Sequence, residues 1–184
     1  MLNRTSFYII FFIIILILLS IIEPSVKMGL FMAIMITSFK YIDTFLHEFG
    51  HFFAGKLVGY EIERVVIGDR KPIFSVVVFG TLFIFCYGFG GLTVPGTRVK
   101  ISKLRLSVFA LGGVFFQIFI ICITYILFGI GSEENYFLPL LFMILNLITI
   151  VYNLYPRTFI QDGKVYLSDG LLFKKIIMMN KTVQ

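Results

Sequence analysis

The stretch that most limits this chain is His47-Glu48-Phe49-Gly50-His51, because it holds the only two histidines of the protein, four residues apart in an apolar setting. On a helix, positions i and i+4 share one face and lie one turn apart. Both imidazoles can then reach one divalent cation, with Glu48 beside them as a candidate general base. Thr44-Phe45-Leu46 precedes the motif and Phe52-Phe53-Ala54-Gly55 follows it. Such flanks place the helix in a membrane or a dry core, where a carboxylate is costly unless it is paired or put to use.

The surroundings match that setting. The chain is 59% hydrophobic and 14% charged, well past the balance of a soluble domain. We therefore expect a single integral membrane domain over residues 1–184, mainly α-helical, with about four transmembrane helices and a small β-sheet or hairpin insertion between the second and third. The formal charge of +6 is assigned to cytoplasmic loops and anionic lipid rather than to nucleic acid. Cys86 and Cys122 have no metal-ligand spacing and make no disulfide framework.

In chain order, the first expected span covers about 6–22, an apolar run long enough to cross the hydrocarbon and closed by Pro24. It is too long for a signal-peptide core, and no small-x-small cleavage site follows it. The second, about 28–56, runs into the motif and ends at Gly59. It carries Lys40 and Asp43. Asp43 lies about 12 Å along the axis from His51, too far to share one metal with it; a partner of His47 or of Lys40 fits better. Residues 61–91 are β-rich, with turns at Gly68–Pro72 and Gly80. They read as a small antiparallel sheet or re-entrant hairpin. Gly88, Gly90 and Gly91 lack a dinucleotide-binding spacing and read as a loop that lets backbone approach something closely.

The third span covers about 104–130, with Gly112-Gly113 allowing close helix packing. The fourth covers about 136–155, with Asn146 and Asn153 on one face and Pro156 at its close. In the tail, Ser168 can cap an amphipathic helix over about 168–180. Residues 56–105 hold eight basic and three acidic residues, whereas the 131–135 loop holds two acids and no base. That asymmetry puts both termini and the β-rich segment on the cytoplasmic side of a multi-pass protein of the cell membrane.

Taken together, these residues resemble the site-2 protease family of intramembrane zinc metalloproteases. Leu46-His47-Glu48-Phe49-Gly50-His51 is similar to the family's LHE(L)GH core, and the β-rich segment sits where the family has a small sheet. Leu111-Gly112-Gly113 stands where the family often has Gly-Pro, with Gln117 in place of the usual Asn. Asn153-Leu154-Tyr155-Pro156 resembles the family's Asn-x-x-Pro. The resemblance covers nearly the whole chain from Met28 and implies a minimal member.

It implies a Zn²⁺ ion on His47, His51 and an aspartate of the tail. Asp162 and Asp169 both precede a glycine. Asp169 opens a helix, as the family's ligand usually does, and is the favoured choice. The resemblance further implies endopeptidase activity on membrane-embedded protein or peptide substrates, with Glu48 moving the proton and Asn153 positioning substrate. An exposed strand edge in residues 61–87 would hold the substrate by strand addition. The competing expectation is a non-proteolytic zinc-binding membrane protein acting in immunity, sensing or partner binding.

Overall fold

The protein is described here by a computed structural model covering residues 14–15, 26–96, 102–128, 136–161 and 164–178. Its elements run α1 (Val26–Leu57), β1 (Ile62–Ile67), β2 (Pro72–Val78), β3 (Thr81–Cys86), β4 (Gly91–Pro95), α2 (Lys103–Phe128), α3 (Phe137–Leu154), β5 (Thr158–Gln161), β6 (Lys164–Leu167) and α4 (Asp169–Met178).

The expectation of a mainly helical protein with four spans is overturned. Two of the described helices, α2 and α3, are long and apolar enough to cross a membrane, judged by length and composition. They combine with a four-stranded mixed sheet and a separate two-stranded hairpin in a mixed α/β arrangement. The expected first span lies outside the described residues except for Ile14 and Ile15. The expected second span falls within α1. That helix instead turns a polar row inward: Lys40, Asp43, Thr44, His47, Glu48 and His51 are all buried.

α1 ends through its own backbone. Gly59 adopts φ +80°, and Gly59 N donates to Lys56 O while Tyr60 N donates to Gly55 O. This pair of reversed bonds is the Schellman arrangement, which needs a residue free to take a left-handed conformation. The chain then enters the sheet, ordered β2-β3-β1-β4. β1 pairs parallel with β3 (Val65↔Phe83) and antiparallel with β4 (Val65↔Thr93). β2 and β3 form an antiparallel pair around Phe79 and Gly80, both at positive φ, the backbone form that tight hairpins favour.

The all-antiparallel expectation therefore fails at β1/β3. The free edges are β2 and β4, so β4, which starts on the last residue of the expected 61–91 insertion, supplies one edge. β2 is solvent-exposed along its whole length. On the other side, Phe52, Tyr60, Ile62, Val65, Ile67, Phe83 and Phe109 form one core joining α1, the sheet and α2.

α1 and α2 approach closely because glycines meet. A side chain on Gly50 would come within 2.6 Å of Gly112 O and within 2.9 Å of the Gly113 Cα. Without a Cβ at these positions, backbone packs on backbone, as the paired glycines of the third expected span suggested. The hairpin β5–β6, with Phe159 opposite Tyr166, was not expected. The expected tail helix is observed as α4, with Lys174 and Lys175 exposed and Ile176 buried.

Candidate metal centre

His47 and His51 project from α1 toward α2, and the Nδ1 of each ring meets a carbonyl oxygen. His51 Nδ1 lies 2.7 Å from Phe109 O. A carbonyl only accepts, so this nitrogen donates, and in the neutral ring Nε2 holds the lone pair. His47 Nδ1 lies 2.9 Å from Gln117 Oε1, which leaves its Nε2 facing the same way. The two Nε2 atoms are 3.1 Å apart.

Asp169, the first residue of α4, completes the group. Its Oδ2 lies 3.1 Å from His47 Nε2 and its Oδ1 3.3 Å from His51 Nε2. Oδ2 is buried and makes no hydrogen bond. Three lone-pair donors thus face one point. Ligands at about 2.0–2.1 Å in a tetrahedron around zinc stand about 3.3 Å from one another, and the observed spacings fit. His47, His51 and Asp169 could together hold a metal ion. Burial alone would push the Asp169 carboxyl up; the neighbouring His51 and His47 more than offset this and hold it below the usual carboxylate range.

Small residues make the convergence possible. A Cβ on Gly113 would sit 2.6 Å from His47 Cε1 and 2.7 Å from His51 Nε2, so both rings occupy space that only glycine leaves. Gly170 does the same for α4, since its missing side chain would run into the Leu154 carbonyl at the end of α3. Ser168 fixes the approach. Its Oγ accepts from Arg157 N at 3.0 Å and donates to Tyr155 O at 2.9 Å, and Ser168 N donates to Arg157 O. The two ends of the β5–β6 hairpin are thereby tied together, and Asp169 follows directly.

Glu48 is buried beside the trio. Thr93 Oγ1, on β4, donates to its Oε2 at 2.8 Å. A Cβ on Gly91 would collide with the Glu48 carboxyl group, so the glycine loop does admit a close approach, and its occupant is the carboxylate. Thr93 was not foreseen. It reaches Glu48 only through the β1/β4 pairing, and nothing local in Gly91–Pro95 announces that contact.

These groups open on a cavity of about 310 Å³, lined by His47, Glu48 and His51, by the β4 edge from Gly91 to Pro95, and by the β5–β6 hairpin. Asn153 also lines it, with its Nδ2 3.1 Å from His47 Nε2. Of the residues singled out by sequence, His47, Glu48, His51, Asn153 and Asp169 come together here. Asp43 sits behind His47, outside the trio, and Asp162 lies outside the described residues. No protein-family model and no curated protein matches this chain.

Proposed function

We propose that this chain is a zinc-dependent endopeptidase of the site-2 protease type, cutting peptide bonds in or near transmembrane segments of membrane-tethered substrates. The observation that carries the reading is the placing of a buried carboxylate, Glu48, against a two-histidine, one-aspartate donor set and beside a free strand edge. Two imidazoles and one carboxylate are a donor set suited to zinc with a position left open. Zinc bound there would supply Lewis acidity, polarising a carbonyl and acidifying a water.

The chain's own residues supply the rest. Glu48 takes a proton from the attacking water and returns it to the leaving amine nitrogen as the C–N bond breaks. Thr93 fixes the direction of its carboxylate. A helical substrate has its carbonyls tied up in i→i−4 hydrogen bonds, so it must be extended before attack. The β4 edge offers main-chain groups for that extended segment, and the Asn153 amide, which lines the cavity, would hold a carbonyl. α2 and α3 anchor the domain in the bilayer, and the loop charges favour a multi-pass arrangement with cytoplasmic termini.

The test compares membrane peptides in cells carrying the intact protein and Glu48→Gln. Loss of specific cleavage products with zinc content unchanged supports the proposal. Identical peptide profiles would transfer the chain to the non-proteolytic zinc-binding reading.

A further inference from the structure

Behind His47, on the side away from the cavity, three helices meet at a wholly buried polar cluster. It comprises Lys40 and Asp43 of α1, Gln117 of α2 and Thr149 of α3, with Asp43 and Gln117 at 0% exposure. Lys40 Nζ donates to Asp43 Oδ2 at 2.6 Å and to Thr149 Oγ1. Thr149 Oγ1 in turn donates to Asp43 Oδ2. The other oxygen, Asp43 Oδ1, accepts from Gln117 Nε2. On its far side Gln117 presents Oε1 to His47 Nδ1 at 2.9 Å.

The direction of this chain is fixed by chemistry. A carboxylate paired with an ammonium group only accepts. The end of Gln117 facing Asp43 must therefore be its NH₂, and the end facing His47 must be its carbonyl. A carbonyl also only accepts, so His47 Nδ1 must carry the hydrogen. In the neutral ring the lone pair then lies on Nε2, the atom aimed at Asp169 and His51.

We infer that Lys40 and Asp43 are positioning residues that act through Gln117 to select the His47 tautomer competent to bind metal. The inference rests on the metal-centre reading for its purpose, but the tautomer itself is observable without metal. The expense of burying an ion pair here is otherwise unexplained, since such a pair is weak evidence of stability. Partners of this kind typically set metal affinity by 10- to 100-fold.

The experiment uses the full chain in detergent, labelled with ¹⁵N-histidine. With two histidines in the protein, four ring nitrogens report, and His51→Gln assigns them. In the metal-free intact protein, at a pH where the ring is neutral, His47 should hold its proton on Nδ1. Asp43→Asn lets the Gln117 amide turn over, so the Nε2-protonated form should appear and the zinc Kd should weaken about 10- to 100-fold. Gln117→Glu sets two carboxylates face to face and should weaken zinc binding to a similar degree.

The double variant Asp43→Asn/Gln117→Glu restores a donor-to-acceptor order: the new amide donates to the new carboxylate, which accepts from His47. It should recover the tautomer and bring the Kd back to within severalfold of the intact protein. Gln117→Met, which keeps the Lys40–Asp43–Thr149 cluster, serves if the Asp43 variants fail to fold, and should lose tautomer control alike. An Nε2-protonated His47 in the intact protein overturns the inference. So does an unchanged tautomer in Asp43→Asn or Gln117→Met, or a double variant no better than the worse single. Intact protein with the Nδ1 proton but no zinc affinity would refute the metal centre while leaving this relay standing.

Discussion

Thr93 Oγ1 donates a 2.8 Å hydrogen bond to Glu48 Oε2, joining residues 45 positions apart on a strand and a helix. Both are buried, at 8% and 5% exposure. The bond holds the carboxylate in one direction, and that direction is toward the cavity that the trio lines.

Thr93→Val removes this donor at nearly constant volume. A hydrogen bond to a charged group contributes about 1.5–3 kcal/mol. Cleavage should therefore fall roughly 10- to 150-fold, measured on a membrane peptide in detergent. Bound zinc should be unchanged, because the Thr93 hydroxyl bonds to Glu48 and not to the three donor residues. Full activity in this variant would remove Thr93 from the mechanism.

Gly113→Ala tests the close approach of α1 and α2 at the centre itself. Its Cβ would stand 2.6 Å from His47 Cε1, and the backbone of both helices resists adjustment. The expected cost is about 1–3 kcal/mol of stability, with zinc affinity reduced tenfold or more. Gly29→Ala is the control. A Cβ there meets nothing within 4 Å, so thermal unfolding should show a gain of about 0.5–1 kcal/mol from helix propensity.

Gly170→Ala acts on the other side of the site. The new methyl group would strike the Leu154 carbonyl, so the first turn of α4 must shift and carry Asp169 with it. Zinc affinity should drop while β1 and β3, which do not line the cavity, keep their stability. Amide exchange in β1 and β3 unchanged, together with a weakened zinc Kd, is the expected pair of results. Unaltered zinc affinity would mean that Asp169 is not held by this contact.

How much of this was readable beforehand follows the range of each interaction. The two-histidine helix was legible because its spacing is local and the protein has no other histidine. Gly59 as a stop and Gly112-Gly113 as a crossing point were legible for the same reason. β4 was missed because Gly91-Leu92-Thr93-Val94-Pro95 opens with glycine and closes with proline, both poor strand formers. It exists only because β1 offers a partner.

The β5–β6 hairpin did leave a signal: Thr158–Gln161 and Lys164–Leu167 flank an Asp-Gly pair, a strong hairpin cue. Read from sequence, Asp162 of that pair stands only as a candidate metal ligand. The parallel β1/β3 pairing has no local signature. The overcount of membrane spans came from reading hydropathy without partners, since the polar row of α1 is buried against the other helices and the β4 segment.

The most direct measurement of the central claim is zinc per chain in purified protein. The intact chain and Glu48→Gln should each retain about one zinc, as should Asp162→Ala. His47→Ala, His51→Ala and Asp169→Ala should each fall close to zero. Full zinc in Asp169→Ala, or none in the intact chain, would contradict the account.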